Sequence, residues 1–378
     1  MFKYNEIIGQ LIKEIRGTPA HTKLPSRHEL CLLYKCTRTT IDRAISELTT
    51  QGYLYSQQGS GTFVASDNNN PQIVHSWAFI VQDIRNQPYA EMLRGITDLA
   101  NKNGIGVQIY NTDNDLGKQQ SIIKSLKKAN IEGLVIVPVI TSEPQYEIFM
   151  WLKSQNIPFV FCNRGIEELP EIPLIRASAF YGGYLATKLL FERGYKRPAY
   201  ISYILGRIPM ERLEGYMAAI DEQGREIYRN LIVHRCFAPG SSTGEVIKIN
   251  DIYPHENGKD YEPLGYLEAK KLLQLPMPPD SFFCSSEATL EGVYKAVRDT
   301  GLEIPGNIGI TSYDNSPICK QQHPQVTAVS SIGYEIGHKA AIVLHKMMKG
   351  EAVSDFNRYI LHPIIIERES CLGPGEKV

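Results

Sequence analysis

Thr37, Arg38, Thr39 and Thr40 open one helical repeat, with Asp42 and Arg43 a turn further on. A guanidinium at the start of an exposed helix can donate two parallel hydrogen bonds to a guanine edge, and flanking hydroxyls suit phosphate oxygens. A second set of polar groups ends or follows apolar runs later in the chain: Asp83, Asn163, Arg164, Ser285, Ser286 and Asp314. Such groups can make paired hydrogen bonds to the hydroxyls of a small polyol, and Tyr89 can stack on a sugar face. Each also has a plainer reading. Asp314 suits a strand-end cap, the two serines a turn, and Tyr89 core packing.

Catalysis finds little support. No strand is followed by a glycine-rich phosphate loop, and no G-x-S-x-G or HExxH occurs. The nine histidines are dispersed, so neither a cofactor nor a metal is expected. The seven cysteines are scattered and odd in number, which suits reduced thiols. Cys31 and Cys36 lie close but lack the second pair that a zinc site needs.

The elements around the first set are short. Tyr4 to Gly17 places Ile7, Ile8, Leu11, Ile12 and Ile15 on one helical stripe. A second helix starts after Pro25, where Ser26 and Glu29 match the S-x-x-E capping box. The third buries Ile41, Ala44, Ile45 and Leu48, with Thr37 as N-cap and Gly52 as terminator. Two β-prone segments then flank Gln58-Gly59-Ser60-Gly61, a hairpin with a glycine tip. Two helices joined by a short turn and followed by a hairpin form a winged helix-turn-helix, with Arg38 on the reading helix. Residues 1–66 carry eight Lys/Arg against five Asp/Glu within a chain of formal charge −1. A basic head on an acidic body fits DNA binding by the head.

The stretch "LPSRHEL…CTRTTIDRAISELTTQGYLYSQQGSGTFVA" resembles the DNA-binding domain of GntR regulators. The resemblance implies DNA contacts by Arg38, Thr39 and Thr40, with Ser26 and Gly59 at the backbone. Arg27, His28, Thr37, Asp42, Arg43 and Gln58 fall on the same expected surface. His28 and Asp42 stand where that family usually has arginine, which alters the expected operator.

An Asn-rich linker with Pro71 ends the head. Beyond it, β-rich runs alternate with amphipathic helices over about 240 residues, as in doubly wound parallel sheets. A break between two such sheets is expected after Cys162-Asn163. The segment from Ala238 to Gly265 is longer and more polar than an ordinary connection and reads as a surface insertion, with strand content near 246–249. The expected organisation is therefore 1–66 winged helix-turn-helix, 67–75 linker, 76–370 two-lobed α/β domain and 371–378 tail.

"IEGLVIVPV", "FCNRG", "GGYLATKLLFERGYKRPAYI", "ERLEGYMAAI" and "GVYKAVRDTGLEIPGNIGITSYDN" resemble the sugar-responsive core of LacI/GalR repressors, which has a periplasmic-binding-protein-like fold. A GntR head on this core is similar to the arabinose-repressor type. The resemblance implies that Arg212 and Asp314 hold sugar hydroxyls, with Asn163-Arg164 at the inter-lobe crossover; the plainer reading of Arg212 is a surface salt bridge on its helix. Ser285-Ser286 replaces the usual Asn-Asp. The expected function is a cytoplasmic, homodimeric regulator, a repressor of carbohydrate-utilisation genes that a small sugar releases from a palindromic operator. Rivals are a regulator with a non-sugar effector and a sugar-binding receptor. No leader or membrane-spanning run is expected from the sequence.

Overall fold

The protein is described by a computed structural model covering residues 2–16, 18–50, 52–57, 59–65, 76–126, 129, 131–140, 146–203, 207–234, 263–351 and 357–377. It divides into two compact units, 1–74 and 75–378. The expected linker 67–75 and most of the 238–265 insertion, its expected strand included, lie outside the described residues.

In the first unit, α1 (Phe2–Arg16), α2 (Arg27–Tyr34) and α3 (Arg38–Thr50) precede a hairpin of β1 (Leu54–Gln57) and β2 (Gly61–Val64). Ile7, Leu11 and Ile15 meet Leu30, Ile41, Ala44, Ile45 and Leu48 in one core, so the helical stripes of the sequence are the buried faces. Gly52, at φ 78°, ends α3 in the left-handed region, where glycine carries no Cβ penalty. The loop before α2 joins the wing: His21 and Leu24 N–H donate to Val64 and Thr62 carbonyls at 2.9 and 2.8 Å.

The second unit has two six-stranded sheets. The first contains β3 (Ser76–Val81), β4 (Gly106–Asn111), β5 (Ile131–Ile136), β6 (Phe159–Cys162), β7 (Leu174–Ala177) and β13 (Arg358–Leu361), in the order β13-β7-β6-β5-β3-β4. The second contains β8 (Pro198–Ser202), β9 (Ile232–His234), β10 (Ser281–Cys284), β11 (Gly309–Tyr313), β12 (Thr327–Ser330) and β14 (Ile364–Ile366), in the order β14-β12-β11-β10-β8-β9. The orders match strand for strand, and all pairings are parallel except β12–β14. The break therefore falls later than Asn163: β7 still belongs to the first sheet. The chain crosses at Ser178, returns after Ser330, and crosses again after β13.

Helices α4 (Tyr89–Lys102), α5 (Leu116–Ser125) and α6 (Tyr146–Ser154) serve the first lobe. Then come α7 (Ala179–Glu192), α8 (Arg207–Glu222), α9 (Tyr266–Leu273), α10 (Glu287–Asp299), α11 (Pro317–Gln321) and α12 (Gly333–Met348). The returning α12 packs on α4 in the first lobe, as α7 packs on α8 in the second. Both crossings rest on glycine. A Cβ on Gly337 would lie 2.0 Å from the Met92 carbonyl oxygen, and one on Gly183 would lie 2.1 Å from that of Arg212.

Candidate nucleic-acid interface and effector cleft

Ser26 caps α2: its hydroxyl accepts from Glu29 N–H at 3.3 Å, and Glu29 accepts from Ser26 N–H at 2.7 Å. That cap aims Arg27 across the unit. Arg27 donates to Asp42 at 3.3 Å and to Thr62 of the wing at 2.9 Å, tying α2, α3 and β2 together. The Arg38 Nε lies 3.8 Å from Asp42, with 80% of the Arg38 side chain exposed. An exposed i,i+4 pair of this kind contributes only about 0.3–0.5 kcal/mol, so Arg38 can exchange it for a base. Asp42 thus steadies two arginines of the surface on which it lies. The Thr37 and Thr40 hydroxyls meet at 2.9 Å, and the Thr37 carbonyl accepts the first N–H groups of α3. His28, Thr39 and Arg43 are exposed, as is Gly59 at φ 77° at the wing tip. Gln58 lies outside the described residues.

A cleft of about 720 Å³ opens between the two lobes of the second unit. Tyr89, Asn163, Arg164, Arg212, Ser286 and Asp314 line it. Asn163 and Asp314 follow the equivalent strands β6 and β11, at φ 65° and 68°. Asn and Asp tolerate this left-handed turn better than other residues with a Cβ, so the backbone as well as the site selects them. The Arg212 guanidinium stacks 3.4 Å from the centre of the Tyr313 ring, donates to the Ser285 carbonyl and lies 3.9 Å from Asp314. Arg164 donates to Tyr89 at 3.0 Å and to Gln82 at 3.2 Å. Three buried polar atoms at the cleft have no partner among the described residues: Arg164 Nε, Arg212 Nε and Ser286 Oγ. Buried donors without acceptors are costly. These three come from both walls.

Burial raises the Asp314 carboxyl above its ordinary range, and the charges of Arg212 and Arg164 counter this only in part. Glu287 is also raised, first by burial and then by Asp314. Glu211 goes the other way. Burial pushes it up, but the Arg176 and Arg207 guanidiniums outweigh that and hold it below the usual range. Its carboxylate takes two bonds from Arg176 at 2.5 and 3.0 Å and one from Arg207 at 2.9 Å. Arg176 is on β7 and Glu211 on α8, so this pair joins the lobes beside Arg212.

Two expected residues do not face the cleft. Asp83 is held by Arg85, which donates to it at 2.7 Å. Ser285 extends β10 by one residue, with its N–H on the Ile201 carbonyl at 2.9 Å and its hydroxyl donating to buried Ser202 at 3.1 Å. Glu287, Arg176, Glu211 and Gln82 line the cleft instead. Tyr89 reaches it, but its ring sits in the first-lobe core and its hydroxyl donates to Gln82 at 3.0 Å. Among the described residues, no group of His, Cys, Asp and Glu has the geometry to hold a metal, and no helix is long and apolar enough to cross a membrane.

Comparison with known proteins gives the same division. The profile of bacterial regulatory proteins of the gntR family matches residues 3–64. That of periplasmic binding proteins and the sugar binding domain of the LacI family matches 74–236, and that of the periplasmic binding protein-like domain matches 187–371. The arabinose metabolism transcriptional repressor of Geobacillus stearothermophilus is 25% identical over 92% of this chain and 91% of its own. The ribose operon repressor of Escherichia coli is 26% identical over 79% of this chain and 82% of its own. The crystal structure of the transcription regulator CcpA of Lactococcus lactis superposes with a TM-score of 0.62 at 26% identity, covering 79% of this chain and 99% of that one. The chain is a DNA-binding transcriptional regulator that joins a GntR-family helix-turn-helix domain to a LacI-type, periplasmic-binding-protein-like domain.

Proposed function

We propose that the protein is a cytoplasmic, homodimeric repressor of carbohydrate-utilisation genes, and that a small sugar bound between the lobes releases it from a palindromic operator. One recognition helix covers a half-site, and two related by a twofold axis match a palindrome. Arg38, Thr39 and Thr40 read or contact the operator; Ser26, Arg27, His28, Thr37, Arg43, Gln58 and Gly59 serve the backbone, and Asp42 orients Arg27 and Arg38.

The observation carrying the effector half is the set of partnerless donors on facing walls. Arg164 and Arg212 line the cleft, each with a buried Nε–H that has no acceptor among the described residues, as do Ser286, whose buried hydroxyl is likewise unpartnered, and the acceptor Asp314. A compact polyol supplies acceptors to the arginines and hydroxyl donors to Asp314 from one scaffold. The similar proteins named as an arabinose metabolism transcriptional repressor and a ribose operon repressor support the same class.

A thermal-shift screen of the full chain against pentoses, hexoses, deoxyhexoses, sugar phosphates and nucleosides tests this. A ligand at one hundred times its dissociation constant stabilises the fold by ~2.7 kcal/mol. The expected hit is a sugar that also releases a duplex selected by the protein from a randomised pool. A hit confined to non-sugars would replace the effector class and leave the regulator intact.

A further inference from the structure

Helix α2 ends at Tyr34 and is capped by Lys35, whose φ 48° and ψ 49° place it in the left-handed region. The Cys31 carbonyl accepts from both the Lys35 N–H and the Cys36 N–H, the latter at 3.2 Å. A bond from the second residue past a helix back to the residue five positions earlier is the mark of a Schellman turn, a motif in which the side chains of that pair frequently make contact. Both residues of this pair are cysteines. Both are half-buried, and both pack against the same core of the first unit. The bond also holds their backbones close, as a disulfide requires of its Cα atoms. The remaining described thiols differ. Cys162 and Cys284 are fully buried, and burial pushes Cys319 and Cys371 up to about 11 and 12, which disfavours the reactive thiolate.

We propose that Cys31 and Cys36 are a dithiol site in the turn of the helix-turn-helix, which a low-molecular-weight disulfide closes to an intramolecular bridge that weakens DNA binding. One cysteine thiolate attacks a sulfur of the small disulfide, forming a mixed disulfide and releasing one thiol. The other cysteine, its proton lost to solvent, attacks the protein-side sulfur and releases the second. Two protein thiols are oxidised and one small disulfide is reduced to two thiols. The new S–S bond of ~2.05 Å is far shorter than any non-bonded sulfur contact. Closing it draws Cys36 toward α2. Thr37, whose carbonyl starts α3, follows, and Arg38 shifts on the surface it must present.

The test uses the full chain with Cys236→Ser, incubated with oxidised glutathione, alkylated and digested with trypsin. Cleavage after Arg27, Lys35 and Arg38 gives peptides His28–Lys35 and Cys36–Arg38. The expected product is these two joined, two hydrogens lighter than their sum. Affinity for a duplex selected by the reduced protein should fall at least ten-fold and return with dithiothreitol. Cys31→Ser and Cys36→Ser should each stop at the mixed disulfide with glutathione and never give the joined pair. If a variant fails to fold, the oxidised and re-reduced parent still decides the question. Alkylated thiols or glutathione adducts without the joined pair would overturn the site. A joined pair with unchanged affinity would overturn its effect on DNA, which rests on α3 being the reading helix, whereas the bridge itself does not.

Discussion

At the scale of single residues, the cleft is defined by what each group cannot satisfy within the chain. Arg212 has one acceptor in the Ser285 carbonyl, an aromatic face beneath it and an Nε–H with no partner among the described residues. Lysine keeps the charge but loses the planar stack and the fixed donors. Arg212→Lys should therefore weaken effector binding at least ten-fold, about 1.4 kcal/mol, by calorimetry, while effector-free DNA binding stays unchanged. Asp314 sets a pH dependence. Its carboxyl is raised by burial, so it takes up a proton at a pH where an exposed carboxylate is still ionised. If the ionised form accepts effector hydroxyls, affinity falls as pH drops through that raised value, and Asp314→Asn flattens the profile at lower overall affinity. For stability the sign reverses: the raised pKa favours the fold at low pH, and that contribution is lost as pH rises through the folded value. Arg164, Ser286 and Asp314 were legible because each ends or follows an apolar run, and Arg212 only through the resemblance of its motif to the LacI/GalR core. Asp83 and Ser285 looked equivalent to them, but a local arginine and one more residue of strand pairing turn them away. No sequence pattern announces such partners.

At the scale of elements, the alternation of strands and helices was enough to read two doubly wound sheets, and the helical stripes of the head proved to be its core. The crossings were not readable. β7, β12, β13 and β14 span only three or four residues each, and their sheet membership is fixed by pairing with distant strands. The Arg176–Glu211 pair shares that invisibility, since a lobe-bridging ion pair follows from topology and not from spacing. Glycine at the helix crossings is the device that brings α7 down on α8 beside Arg212. Gly183→Ala would put a methyl group 2.1 Å from a backbone oxygen, which no side-chain movement relieves. It should destabilise the second unit by about 1–3 kcal/mol, as overpacking does, and reduce effector affinity by displacing Arg212. Gly104→Ala is the control: a Cβ there meets nothing within 4 Å, although its φ of 69° carries a strain cost. It should lower the melting temperature without a specific loss of effector affinity. Denaturant melts paired with titration calorimetry separate the two.

At the scale of the molecule, a regulator works only if its two ligands sense each other. An effector shifts the protein off DNA only by the difference in its affinities for the two states, typically ~1–3 kcal/mol, or 5–150-fold. Linkage makes this reciprocal: saturating operator must weaken effector binding by the factor by which effector weakens operator binding. The expectation is therefore numerical. Effector dissociation constants with and without saturating selected duplex should differ by the same ratio as duplex dissociation constants with and without saturating effector. Arg38→Ala supplies the control, because a chain that no longer binds the duplex should show the same effector affinity whether or not the duplex is added. Ratios that match but run below one would mean the effector tightens DNA binding, reversing the sign of control with the site intact. Equal effector affinity in both conditions would mean that the cleft binds its ligand without favouring either state, and release by that ligand would be ruled out however tightly it binds.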